Sequence, residues 1–216
     1  MHRLALIPAR GGSRRLPGKN LRTFAGLPLI VWTIRAALDA AVFDRVVVSS
    51  DDEQILDISR SAGAEALQRP MNLALDDTSS MDVVWHVCEA LKPAPDIIVL
   101  LQPTSPLRRA SDIQQSLHLL EQTGAPGVVS VTDHVKHPEW AYGLDASGRL
   151  QPPDTLPGTR IVGLNGAIYA ARLPWLASRD GFIGEGTLGF FMPAEFSADI
   201  DTLEEFEQAE RQVLSH

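Results

Sequence analysis

The sequence predicts an α/β fold of Rossmann-like form, a mostly parallel sheet with helices on both faces. Three observations carry this. Over the first two-thirds of the chain, short β-rich runs alternate with longer amphipathic stretches, the pattern of βαβ units with right-handed crossovers. The runs Leu4–Ile7, Arg45–Ser49 and Asp96–Leu101 are nearly continuous in apolar residues, as strands buried on both faces of a parallel sheet are. A chain of 216 residues, 44% hydrophobic and 21% charged, has the size and composition of one large globular domain, so residues 1–216 are read as a single domain.

Taken in order, strand Leu4–Ile7 runs into a Gly- and Arg-rich loop, and helices are expected at 28–41 and 52–62 around the strand Arg45–Ser49. A helix at 78–91 leads to Asp96–Leu101. The next, 110–122, lines up Ile113, Leu117 and Leu120 on one stripe with Gln and Glu on the other faces, and strand Gly127–Val131 follows. Residues 138–160 change in texture, with several prolines and glycines, and predict a hairpin-like excursion or arm rather than another crossover. Asn165–Ala171 resumes a strand. Thr202–Leu214 closes the chain as a helix, for which Thr202-Leu203-Glu204-Glu205 can form a capping box.

A formal net charge of −8 and a pI near 5.2 argue against a binder of duplex nucleic acid, while leaving room for a small anionic ligand held by a few local cations. The single cysteine, Cys88, rules out an intrachain disulfide and fits a reducing compartment. The N-terminal apolar run is too short for a signal peptide, and no stretch approaches the roughly 20 apolar residues that span a bilayer. A cytoplasmic protein without membrane contact is expected.

Four strings carry chemistry. The first, Pro8-Ala9-Arg10-Gly11-Gly12-Ser13-Arg14-Arg15-Leu16-Pro17-Gly18-Lys19-Asn20, follows the first strand, where open α/β sheets bind ligands. Glycines let backbone N–H groups approach phosphate oxygens, and Arg10 and Lys19 can supply positive charge. It is not a Walker loop: the interval from Gly12 to Gly18 is too long, and Asn20 stands where a Mg²⁺-binding hydroxyl is required. A Gly-x-Gly-x-x-Gly fingerprint is also missing. The second string, Arg69-Pro70 followed by Asp76-Asp77-Thr78-Ser79-Ser80, opens a helix, and its Asp, Thr and Ser residues suffice as N-caps. The third, Leu101-Gln102-Pro103-Thr104-Ser105-Pro106-Leu107-Arg108, turns rigidly at a strand's carboxyl end. In the fourth, Asp199-Ile200-Asp201, both carboxylates face one way from an extended segment; they suit a Mg²⁺ ion, or Asp201 caps the last helix while Asp199 is solvated. The six histidines form no pair at metal-ligand spacing.

Together these strings resemble the acylneuraminate cytidylyltransferases (CMP-sialic acid synthetases), from Leu4 to about Leu214. The related Kdo cytidylyltransferases share the Ile-Pro-Ala-Arg opening but continue Lys-Pro where this chain has Lys19-Asn20. The resemblance implies a nucleotide-diphospho-sugar transferase fold, CTP and an acidic 2-keto sugar as substrates, Mg²⁺ as cofactor, and a homodimer. It implies nucleotide contacts from Ala9, Arg10, Asn20, Arg69 and Ser80, and sugar contacts from Gln102, Asn165 and Tyr169. Asp199 and Asp201 then match the metal pair, and Arg10, Lys19 and Asp201 the catalytic group. The family's arginine two residues before Asn165, expected to pair with the sugar carboxylate, is Gly163 here; Arg160 is the candidate replacement. The dimer contact is expected from residues 138–160 or from the region of Phe182, Phe190 and Phe191. A Kdo-type or sugar-phosphate nucleotidylyltransferase and a non-catalytic nucleotide-binding module are the alternatives.

Overall fold

The computed structural model describes every residue except 76, 154–158 and 216. Part of the expected arm at 138–160, and Asp76 of the second string, therefore lie outside the described residues. Strands β1 (Arg3–Pro8), β4 (Arg45–Ser50), β6 (Ile97–Leu100) and β7 (Gly127–Thr132) coincide with the four apolar runs. Helices α1 (Leu29–Asp39), α2 (Glu53–Ser61), α3 (Ser80–Ala90) and α4 (Ala110–Thr123) fall where the periodicity puts them.

The main sheet runs β11-β7-β10-β6-β1-β4-β5, with β5 at Glu65–Gln68, β10 at Arg160–Arg172 and β11 at Leu188–Phe191. β10 alone on this path runs antiparallel to its neighbours β6 and β7. The remaining pairs, β1 with β4 and β6, β4 with β5, and β11 with β7, are parallel. Alternate side chains of the buried strands enter two cores. Ala5, Ile7, Val46, Val48, Ile97 and Val99 pack with Ile30 and Ile34 of α1, Ile55 of α2 and Leu117 of α4. Leu4, Leu6, Val47, Ile98 and Leu100 pack on the other face with Val84 and Val87 of α3. This two-sided burial is what the continuous apolar runs encode.

The excursion is a hairpin of β8 (Ala141–Leu144) and β9 (Leu150–Gln151), with β8 pairing the first half of β10. The strand expected at Asn165–Ala171 is thus the inner part of a longer one that ties the arm to the sheet. A two-stranded hairpin, β2 (Thr23–Phe24) with β3 (Leu27–Pro28), follows the first loop. A short helix, α5 (Leu173–Leu176), follows β10. The last helix, α6 (Leu203–Leu214), has Thr202 as N-cap with a full capping box to Glu205. It packs through Phe206 and Ala209 onto Leu16, Phe24, Leu29 and Ile200 in a third, small core. That core brings the Asp199–Asp201 segment back over the first loop.

Candidate active site

The carboxyl ends of β1 and β6 open into one cleft of about 480 Å³, whose lining includes Arg10, Arg15, Lys19, Asn20, Arg69, Ser80, Gln102 and Asp201. Residues from all four strings therefore meet in one place. Ala9 follows β1 and is buried, its N–H donating to Ser49 O at 2.9 Å; its neighbours Pro8 and Arg10 line the cleft. Gly18, at φ +66°, turns the loop back through a left-handed conformation before the single turn Lys19–Leu21. Asn20 is buried and its Nδ2 donates to Arg10 O at 3.0 Å, closing the loop on itself.

Asp51, just after β4, braces the first loop. Its Oδ1 accepts the Gly11 N–H at 3.1 Å and lies 3.6 Å from Arg69 Nη2, linking the first loop to the second string. Arg69 is 5% exposed, and burial lowers its guanidinium pKa against the opposing pull of Asp51. In the second string Ser79 caps α3 by accepting the Asp82 N–H at 3.1 Å, and both Ser79 and Ser80 line the cleft.

Lys19 is 9% exposed. Its Nζ donates to Ile200 O at 2.6 Å and to Asp201 Oδ1 at 3.4 Å, so it ties the loop to the acidic segment. Burial lowers its pKa, and Asp201 and Asp199 act against that. Asp199 and Asp201 do face the same way: Lys136 Nζ lies 3.5 Å from Asp199 Oδ2, 3.3 Å from Asp201 Oδ2 and 2.9 Å from Glu205 Oε1, while Ile200 points into the small core. Burial raises the pKa of Asp199, and Lys136 opposes the rise. Lys136 carried no sequence signal, because only tertiary folding brings it to the carboxylates. Asp201 is not the helix cap, since that position belongs to Thr202.

Gln102, two residues past β6, lines the cleft and accepts from Thr104 Oγ1 at 3.3 Å. Asn165 lies behind Asp199 in a neighbouring cavity of about 250 Å³, its Oδ1 accepting from Ser130 Oγ at 2.6 Å and its Nδ2 donating to Ser197 Oγ at 2.9 Å. Tyr169 does not line the cleft. It packs in the second core against Phe182, ring centroids 5.8 Å apart, and burial raises its pKa.

Arg160 is also not brought to the cleft. Its Nε donates to Asp133 Oδ1 at 2.9 Å and its guanidinium lies 4.3 Å from the Phe191 ring centroid, on an exposed face of β10. It therefore lies away from the cleft residues. Nor is there room for an arginine at position 163: a Cβ at Gly163 would collide with His134 O and come within 2.9 Å of Val135 Cα. Both are backbone atoms, so the 134–135 segment would have to move. Gly163→Ala is expected to destabilise the fold by about 1–3 kcal/mol, seen as a lower urea midpoint at unchanged slope.

The sequence profile of the family described as "Cytidylyltransferase" matches residues 4–147. The chain is 37% identical over 217 residues to the CMP-N,N'-diacetyllegionaminic acid synthase of Legionella pneumophila, an alignment covering 94% of this chain and 92% of that one. It is 35% identical over 213 residues to the N-acylneuraminate cytidylyltransferase of Escherichia coli O18:K1:H7, covering 95% of this chain but 51% of that protein, so it spans about half of that relative's length. Among solved structures, a CMP:2-keto-3-deoxy-manno-octonic acid synthetase complexed with CTP superposes with a TM-score of 0.81 at 20% identity, over 100% of this chain and 99% of the other. At that identity the likeness is one of fold.

Proposed function

The chain belongs to the cytidylyltransferase family, and we propose that it transfers CMP from CTP to a sialic-acid-like 2-keto sugar acid, releasing pyrophosphate. The observation that carries this reading is the single cleft in which Arg10, Lys19, Asn20, Arg69 and Ser80 meet Gln102 and Asp201. A nucleoside triphosphate needs several cations on one wall, and a sugar hydroxyl needs polar side chains beside the α-phosphate. In the reaction the sugar's anomeric oxygen bonds to the α-phosphorus, and the bond to the β-phosphate oxygen breaks. Pyrophosphate leaves with that electron pair, and the hydroxyl proton is lost.

Within this reading Arg10, with Arg15 and Lys19 beside it, offsets the triphosphate charge. Asn20, Arg69 and Ser80 hold the base and ribose, and Gln102 hydrogen-bonds the sugar. The donor set at Asp199 and Asp201 fits Mg²⁺. Both are carboxylates of low exposure converging on one positively charged atom, Lys136 Nζ, and Mg²⁺ is usually held by one or two carboxylates completed by phosphate oxygens and water. When bound, the ion supplies Lewis-acid charge to the phosphate oxygens. Among the described residues no group of three or more His, Cys, Asp or Glu forms a metal cluster, and the nucleotide and solvent would supply the remaining ligands.

The test is a pyrophosphate-release screen of the four common NTPs against a panel of 2-keto sugar acids with Mg²⁺. CTP with a nonulosonic acid is expected to turn over fastest, because buried hydrogen-bonding groups reject bases that leave them unpaired. Equal turnover of UTP and CTP would contradict the assignment of Asn20, Arg69 and Ser80.

A cytoplasmic homodimer is part of the same proposal. No helix among the described residues is long and apolar enough to cross a membrane. Phe182 is buried within the chain at 6% exposure and cannot serve a contact, whereas Ile161 and Phe191 are 43% and 36% exposed beside the β8–β9 arm. Light scattering at micromolar concentration is expected to give twice the chain mass, and Ile161→Asp to lower it to the monomer.

A further inference from the structure

Arg108 closes the third string, lines no part of the nucleotide cleft, and has no role in the reaction as described. It is 2% exposed. Its Nη1 donates to Ala167 O at 2.8 Å and to Gln102 O at 3.3 Å, while Nε and Nη2 have no hydrogen-bond partner among the described residues. Asp112, the one carboxylate acting on it, accepts both the backbone N–H and the guanidinium of Arg109. Burial pushes the Arg108 pKa down to about 9. A buried guanidinium two donors short costs stability, and a side chain needed only for packing would be better as Met or Leu.

The two carbonyls it joins belong to different parts of the site. Gln102 lies two residues past β6 and lines the cleft. Ala167 lies in the irregular stretch of β10, where the register against β7 shifts between Leu164 and Tyr169 and Gly166 adopts φ +74°. These segments meet closely: a Cβ at Gly166 would lie 3.2 Å from Gln102 Oε1 and 3.8 Å from Asp199 Cγ. The Gln102 amide, the Gly166 backbone and the Asp199 carboxylate thus converge on one point, and Arg108 clamps the backbone on both sides of it.

We infer that Arg108 is a positioning residue for the acceptor substrate: by holding the Gln102 and Ala167 carbonyls together it fixes the Gln102 amide against Gly166 and Asp199, without touching either substrate. This rests on the reading that Gln102 faces the sugar. Misplacement by about 1 Å from a residue remote from the chemistry costs on the order of 10²-fold in rate.

The variants are Arg108→Met and Arg108→Lys. Arg108→Met should keep or raise the wild-type melting temperature, because an incompletely paired buried charge is removed. Its CTP Kd, measured calorimetrically without sugar, should stay within about twofold, while the sugar KM rises by about tenfold or more. Arg108→Lys should recover part of the loss, since an ammonium can hold one of the two carbonyls. Independently of any substrate, amide exchange in residues 102–107 and 165–168 should quicken in Arg108→Met. Unchanged exchange in both segments would overturn the inference, and so would a CTP Kd that weakens as much as the sugar KM. If the wild type turns over none of the 2-keto sugar acids, the functional reading fails, and the exchange measurement alone decides the role of Arg108. Should Arg108→Met not fold, the same measurements on Arg108→Lys are decisive.

Discussion

Asp201→Asn is expected to lower the rate of pyrophosphate release by at least about 10²–10³-fold while the protein remains folded. The exchange is isosteric and removes one negative charge. That charge faces three cations: Arg15 Nη2 at 3.2 Å, Lys19 Nζ at 3.4 Å and Lys136 Nζ at 3.3 Å. Helix α6 does not depend on it. Thr202 Oγ1 accepts the Glu205 N–H at 3.2 Å, and Glu205 Oε2 accepts the N–H groups of Asp201 and Thr202 at 2.7 and 2.9 Å. Leaving Lys19 and Lys136 with one carboxylate fewer costs about 1–3 kcal/mol of stability, well short of unfolding a domain of this size. In the wild type, a chelator should abolish activity and added Mg²⁺ or Mn²⁺ should restore it; in Asp201→Asn, excess Mg²⁺ should recover little. A fully active, metal-dependent Asp201→Asn would show that the carboxylate is not needed and would move the metal site elsewhere.

The parts of this molecule that were legible in the sequence are those set by local pattern. Leu4–Ile7, Arg45–Ser49 and Gly127–Val131 announce inner strands because, Arg45 apart, both of their faces are buried and every residue is apolar or small. Thr202 and Glu205 announce the cap of α6 because a capping box needs only four consecutive residues. β5 was not legible: it is an edge strand of four residues whose ends, Glu65 and Gln68, are exposed, and its pairing with β4 supplies what its composition does not. β11 is hidden in the same way by Gly189 and by its place at the other edge.

The same division holds in the active site. Arg10, Lys19, Asn20, Arg69, Ser80, Gln102 and Asp201 come from strings that mark themselves by glycine, proline and charge at strand ends. Asp51 and Lys136 act through partners 40 or more residues away, the Gly11 N–H for the first and Asp199 to Glu205 for the second, and no local spacing encodes such pairs. Arg160 shows the opposite failure. Proximity in sequence to Asn165 suggested a ligand, but β10 directs the Arg160 side chain to Asp133 and the Phe191 ring instead.

Arg10→Ala is expected to lower kcat/KM by about 10²–10³-fold, equivalent to about 2–4 kcal/mol of barrier, with little change in stability. Arg10 follows the tip of β1, where open α/β sheets place their ligands, and its side chain lines the cleft. The path of the loop is held by other bonds: Asn20 Nδ2 to Arg10 O at 3.0 Å, a backbone acceptor that alanine retains, and the Gly11 N–H to Asp51 at 3.1 Å. The neighbouring cations cannot replace it. Lys19 is engaged by Ile200 O and Asp201, Arg69 is drawn to Asp51, and Arg15 is 63% exposed beside Asp201. Because a preorganised cation acts on charge that builds up during phosphoryl transfer, kcat should fall along with kcat/KM, and not KM alone. Arg10→Lys should recover only part of the rate, since it keeps the charge but not the planar, two-pronged donor set. A well-folded Arg10→Ala with a kcat near wild type would mean that the loop binds the triphosphate equally in ground and transition states, and that charge compensation at the transferring phosphorus comes from the acidic wall of the cleft instead.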